Sequence, residues 1–186
     1  MPVLALAGAL ATVPLPAVHF LGPGEISVPG SVHFAAVGQT AIFATAAAII
    51  LTAIGVARQD GRAVLVGTAF TAMAALLALH GLATPGIMLG FNGLVSFSGG
   101  ATLPVGGAVL ALSALPALRG PEGVRPLLWL QGVLLAAIGI LGVLGWVFPS
   151  LVPAVPEPAS LPAIILLLSA WSCTDWSVSA PCTPSY

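Results

Sequence analysis

Lysine is absent from this 186-residue chain, and arginine occurs only at Arg58, Arg62, Arg119 and Arg125. Five acids, Glu25, Asp60, Glu122, Glu157 and Asp175, complete a charged set of 5%. Soluble domains carry about 25% charged residues, so this chain could not cover itself with a polar surface. Neutralising a nucleic-acid backbone takes clustered Lys and Arg, which excludes nucleic acid as a partner. Catalytic signatures are missing too: there is no GxSxG, no phosphate-binding P-loop and no GxGxxG ahead of a helix. No carboxylates pair within an apolar stretch, and the chain is not expected to be an enzyme. Proton-coupled transporters usually keep an Asp or Glu inside the membrane, and no predicted span holds one. The two cysteines, Cys173 and Cys182, have the spacing of neither a CxxC motif nor a zinc ribbon.

What is present is apolar sequence, 59% of the residues. A membrane-crossing helix needs roughly 20 apolar residues, with a range of about 17–25. Val32–Ala57, Ala63–Ala83 and Arg125–Phe148 qualify, and Thr102–Leu118 is a shorter candidate with Pro104 in its first turn. Met1–Phe20 is apolar as well. It lacks the positive region of a signal peptide, which favours a first span over a cleaved leader. Leu161–Trp171 begins a sixth span and stops short. The expected architecture is an all-α membrane protein of about six transmembrane helices, with residues 1–171 as the multi-pass domain. Residues 172–186 form an irregular tail, read either as a native short C-terminus or as the product of a reading-frame shift that truncates the sixth helix.

Arginine sets the orientation. Arg58 and Arg62 lie between the second and third spans, Arg119 and Arg125 between the fourth and fifth, so two crossings put both pairs on one side. The positive-inside rule makes that side cytoplasmic, with both termini inside, in a plasma (inner) membrane. Phe20–Ser31, Thr84–Ala101 and "PSLVPAVPEPAS" then face outward. Thr84–Ala101 holds seven Gly, Pro and Asn residues. It reads as an outer lid with a short helix at Met88–Phe97.

The three histidines, His19, His33 and His80, all fall near the outer ends of predicted spans. Imidazole can serve as a metal ligand, haem ligand or proton switch, and a polar group at membrane depth suggests function. His33 and His80, on well-defined helices, are the candidate pair. Thr40, seven residues after His33, shares its helix face and completes a candidate ligand pocket; His19, His33 and His80 are candidate metal ligands. Against this stand interfacial histidines satisfied by carbonyls and the absence of HxxxH or HExxH spacing. No cofactor is required by the sequence. Gln39 and Gln131 are expected to bond between helices, and Thr45, Thr52, Thr68 and Thr71 to bond back to their own helix. The lipid bilayer is the expected partner, and a homo-oligomer is compatible with the sequence.

The segments "LHGLATPG", "VHFAAVG" and "SGGATLPVGGAVLAL" resemble the N-terminal multi-pass input segments of bacterial signalling proteins, over roughly residues 10–171. In such proteins a cytoplasmic output of cyclase, HD-type phosphodiesterase or kinase type follows the last helix. The resemblance implies a membrane sensor module without catalytic machinery, its output domain absent. It assigns no role to any residue. The other readings are a small channel, transporter component or assembly subunit, and a metal- or haem-binding membrane protein using the outer histidines.

Overall fold

The computed structural model describes residues 29–86, 93–149 and 152. Four helices account for most of them: α1 (Gly30–Arg58), α2 (Gly61–Leu82), α3 (Gly93–Ala111) and α4 (Pro121–Val147). All four are long and apolar enough to cross a membrane, and no strand occurs among the described residues. The described part of the chain is thus all-α, with helices that fit a membrane protein. The predicted first span, the sixth span at Leu161–Trp171, the tail with Cys173 and Cys182, and His19 lie outside the described residues.

Three predicted spans correspond to α1, α2 and α4, with ends shifted by a few residues. The fourth does not. The predicted lid, Thr84–Ala101, and the predicted span, Thr102–Leu118, are divided differently: α3 already begins at Gly93 and ends at Ala111. Two 3₁₀ turns, Leu112–Ala114 and Pro116–Leu118, follow it. Pro104 accordingly lies in the helix interior, where the Gly100 carbonyl loses its usual donor. Of the predicted helix Met88–Phe97, only Gly93–Phe97 is described, as the start of α3.

The glycines of "SGGATLPVGG" favour a loop in water. In a membrane protein small residues instead let helices approach. A Cβ added at Gly106 would lie 2.5 Å from the Met73 sulfur on α2. At Gly67 it would overlap the Thr52 hydroxyl, and at Gly55 it would lie 2.6 Å from the Val64 side chain. Close packing of this kind runs along α2, which contacts α1, α3 and α4, whereas α3 and α4 scarcely touch. α2 holds more of the buried residues than any other helix. The outer faces of α1 and α4 stay exposed, at Ile42, Phe43, Ile49 and Ile50 and at Ile140, Val143 and Val147. Such faces suit lipid. Exposed Trp129 and Trp146 are 17 residues apart, about 26 Å along the helix, which matches two interfacial belts bounding a hydrocarbon core of about 30 Å.

Helix ends explain the connections. Gln59, at φ 52°, closes α1 in a Schellman motif. The Asp60 N–H donates to the Gly55 carbonyl at 2.8 Å, and the Gln59 N–H to that of Val56 at 3.3 Å. Asp60 then caps α2, its carboxylate accepting from the Arg62 and Ala63 N–H groups at 2.9 and 3.4 Å. Gly61 packs directly under the Leu118 and Gly120 carbonyls, so the α1–α2 and α3–α4 connections meet. All four arginines therefore cluster at one end of the molecule, and His33 and His80 lie at the other.

Candidate functional site

His80 sits in the last turn of α2. There the Thr84 hydroxyl donates to the His80 carbonyl at 3.1 Å, and the Ala83 N–H to the Leu79 carbonyl at 2.9 Å. Gly86, at φ 83°, turns the chain away; this left-handed conformation is one glycine adopts without penalty. His33 sits in the first turn of α1, held by its N–H donating to the Pro29 carbonyl at 3.1 Å.

The two imidazoles meet, Nε2 to Nε2, at 3.1 Å, both partly buried. Their planes cross at 69° with ring centroids 5.3 Å apart. That separation exceeds the nitrogen distance by 2.2 Å, about what two ring radii add, so the rings meet tip to tip. On the far side of His80, Nδ1 lies 2.6 Å from the Val95 carbonyl of α3. A carbonyl only accepts, so His80 Nδ1 carries a hydrogen. With His80 neutral, its Nε2 is the bare acceptor, and His33 Nε2–H must be the donor. The chain His33–His80–Val95 thereby ties α1, α2 and α3 together at one end.

Tip-to-tip geometry suits a proton between the nitrogens. Two lone pairs chelating one ion converge on a point off the nitrogen–nitrogen line, and these do not. Among the described residues no group of three His, Cys, Asp or Glu gathers. Thr40 is exposed, its hydroxyl donating to the Ala36 carbonyl at 2.9 Å. Seven residues place it on the His33 side but about 10 Å along the axis. The geometry joins His33 to His80 and leaves Thr40 apart.

Sequence reasoning missed Val95, whose contribution is a main-chain carbonyl, and Gly99. A Cβ at Gly99 would lie 2.8 Å from His80 Nδ1 and 3.0 Å from its Cε1. Glycine there is what admits the ring to α3. No residue-type signal marks a carbonyl acceptor, and Gly99 is one of several glycines in its stretch.

The remaining polar side chains serve packing. The Thr45, Thr68 and Thr71 hydroxyls donate to carbonyls one turn back, at 2.7, 2.9 and 2.8 Å. Thr52 departs from that expectation: its buried hydroxyl has no partner and faces Gly67. Gln131 donates across from α4 to the Thr71 hydroxyl at 2.7 Å, whereas Gln39 is exposed. No protein-family model, curated protein or solved structure matches the chain.

Proposed function

We propose that this protein is a membrane-embedded sensor or input module without catalytic machinery, and that His33 and His80 are its proton-responsive element. The observation that carries the reading is the 3.1 Å Nε2–Nε2 contact, which joins α1 to α2 through two imidazoles, His80 bonding in turn to the Val95 carbonyl of α3. In this reading the arginine end is cytoplasmic, the histidine end faces outward, and the bundle of about six helices has its N-terminus inside.

Proton arithmetic gives the response a direction. A neutral pair makes one N–H···N bond. The first added proton keeps that bond and makes it charge-assisted, hence stronger. A second proton leaves two N–H donors facing each other with no acceptor. At 5.3 Å between rings, two unit charges repel by about 3 kcal/mol at an effective dielectric of about 20. No other charge offsets this among the described residues. Arg58 on α1, Arg62 on α2, and Glu122 and Arg125 on α4 are at the opposite end, and α3 has no ionisable side chain.

The test uses the full chain in nanodiscs with Cys173 and Cys182 replaced by serine. Spin labels at Ser31 and Ser96 report the outer end, and labels at Arg58 and Pro121 the arginine end. Lowering the pH from about 8 to about 5 should widen the first distance and shift the second, and His80→Ala should remove both responses. Movement at the outer end alone would overturn the reading in favour of a static assembly subunit, because an input that stops halfway transmits nothing.

A further inference from the structure

An apolar groove of about 470 Å³ opens between α2 and α4. Ala75, Ala78 and Leu82 form one wall, and Gly139, Gly142 and Trp146 the other. It runs along α4 from Leu135 to Trp146, about 17 Å of helix, in the half of the molecule that carries the histidines. We infer that this groove is the seat of the chain's own apolar stretch Leu161–Trp171.

Three observations lead there. The first is position. Val152 is buried against Ala83 and Leu94, and Leu94 and Ala83 also line the groove. The chain therefore leaves the described helices at the mouth of the groove. Eight residues separate Val152 from Leu161, including Pro153, Pro156 and Pro158. Extended, such a connection reaches about 30 Å, ample for a return.

The second observation is length. "LPAIILLLSAW" has eleven residues, about 16 Å as a helix. That is roughly half a hydrocarbon core of about 30 Å but equal to the groove within a residue. The third is chemistry. The stretch carries no charge, and the groove is lined by apolar residues throughout. Gly139 has open space where its Cβ would be, whereas at Gly142 a Cβ would lie 3.0 Å from the Leu79 side chain, so it is at Gly139 that a further helix can approach α4 closely.

Disulfide scanning tests the seat. In the full chain in nanodiscs, with Cys173 and Cys182 replaced by serine, Val143→Cys is paired in turn with cysteine at Ile164, Ile165, Leu166, Leu167 and Leu168. Cross-links within one chain, strong at positions three to four residues apart and weak between them, are the expected result. Gly139→Leu, which fills the open space, should reduce their yield severalfold. Cross-links that join two chains would assign the groove to a second copy and overturn the inference. So would labelling of Val143 by a photoreactive acyl-chain lipid without any intrachain cross-link, or cross-linking that ignores helical periodicity.

Discussion

At the arginine end, α1 and α2 are joined by Gln59 and Asp60 alone, and glycines at 55, 61 and 123 leave no room for a Cβ. Val64, Leu65, Ala69, Val109, Val124 and Leu127 form a buried cluster just beyond, with Leu112 and Leu118 packed on it. At the histidine end the buried cluster shrinks to Ala83, Leu94 and Val152. A groove separates α2 from α4 there, and the link between α1, α2 and α3 is a chain of polar contacts through two rings. Apolar close packing resists rearrangement because every displacement opens a void. A hydrogen-bonded bridge between two imidazoles is lost once both rings carry a hydrogen on each nitrogen, because no acceptor then remains between them. The two ends thus differ in what holds them together, close apolar packing at one and a polar bridge at the other.

Core truncation gives the largest way to break this contrast. Leu127 and Leu94 are both about 1% exposed, so solvent exposure does not distinguish them. Leu127→Ala removes side-chain bulk enclosed on all sides by the larger cluster and should cost about 3–5 kcal/mol. Leu94→Ala opens onto the groove, whose wall can relax, and should cost about 2–3 kcal/mol. Unfolding measured by steric trapping in bicelles checks the order. Equal costs would mean that the histidine end is as tightly packed as the other.

Glycine substitutions sharpen it at a smaller scale. A methyl at Gly61 would overlap the Leu118 carbonyl, with the Gly120 carbonyl only 2.7 Å away. Backbone cannot swing aside, so Gly61→Ala should destabilise by about 2–3 kcal/mol. A methyl at Gly99 meets instead the ring of His80, which can rotate, and the cost should be about 1 kcal/mol. The ring would then leave Val95 and His33. Nitrogen NMR of the histidine rings should show loss of the His33–His80 hydrogen bond in Gly99→Ala and its retention in Gly61→Ala. A persistent bond in Gly99→Ala would remove Gly99 as a positioning residue.

The same contrast explains what the sequence disclosed. Long apolar runs bounded by Arg, Asp and Gly marked α1, α2 and α4, because the membrane's demand for length and hydropathy is read directly from composition. The α3 boundary was illegible. Its glycines serve contacts with His80 and Met73 on another helix, and turn chemistry written for water assigns them to a loop. His33 and His80 could be placed near one level, yet their meeting depends on the packing of α1 on α2. Thr40 shows the opposite failure: periodicity fixed its angular position correctly, while the rise per residue carried it two turns away.

Gln131 belongs to neither end and offers the finest test. Its amide N–H donates to the Thr71 hydroxyl at 2.7 Å, and that hydroxyl donates to the Gly67 carbonyl at 2.8 Å. The Gln131 Oε1 is buried without a partner. Gln131→Leu would forfeit one interhelical hydrogen bond, typically worth about 0.6 kcal/mol inside a membrane. It would also remove the uncompensated carbonyl oxygen, whose burial is unfavourable. Thr71 keeps its bond to Gly67, so no new orphan is created, and leucine is close enough in size to leave little void. The two terms oppose each other, and the net change should stay within about 0.5 kcal/mol of zero. Gln131→Ala keeps the same polar gain but opens a cavity and should be the less stable of the two variants. A cost above about 1.5 kcal/mol for Gln131→Leu would show that Oε1 is engaged in the folded protein. The middle of the bundle would then be a polar joint between its two ends rather than continuous apolar packing.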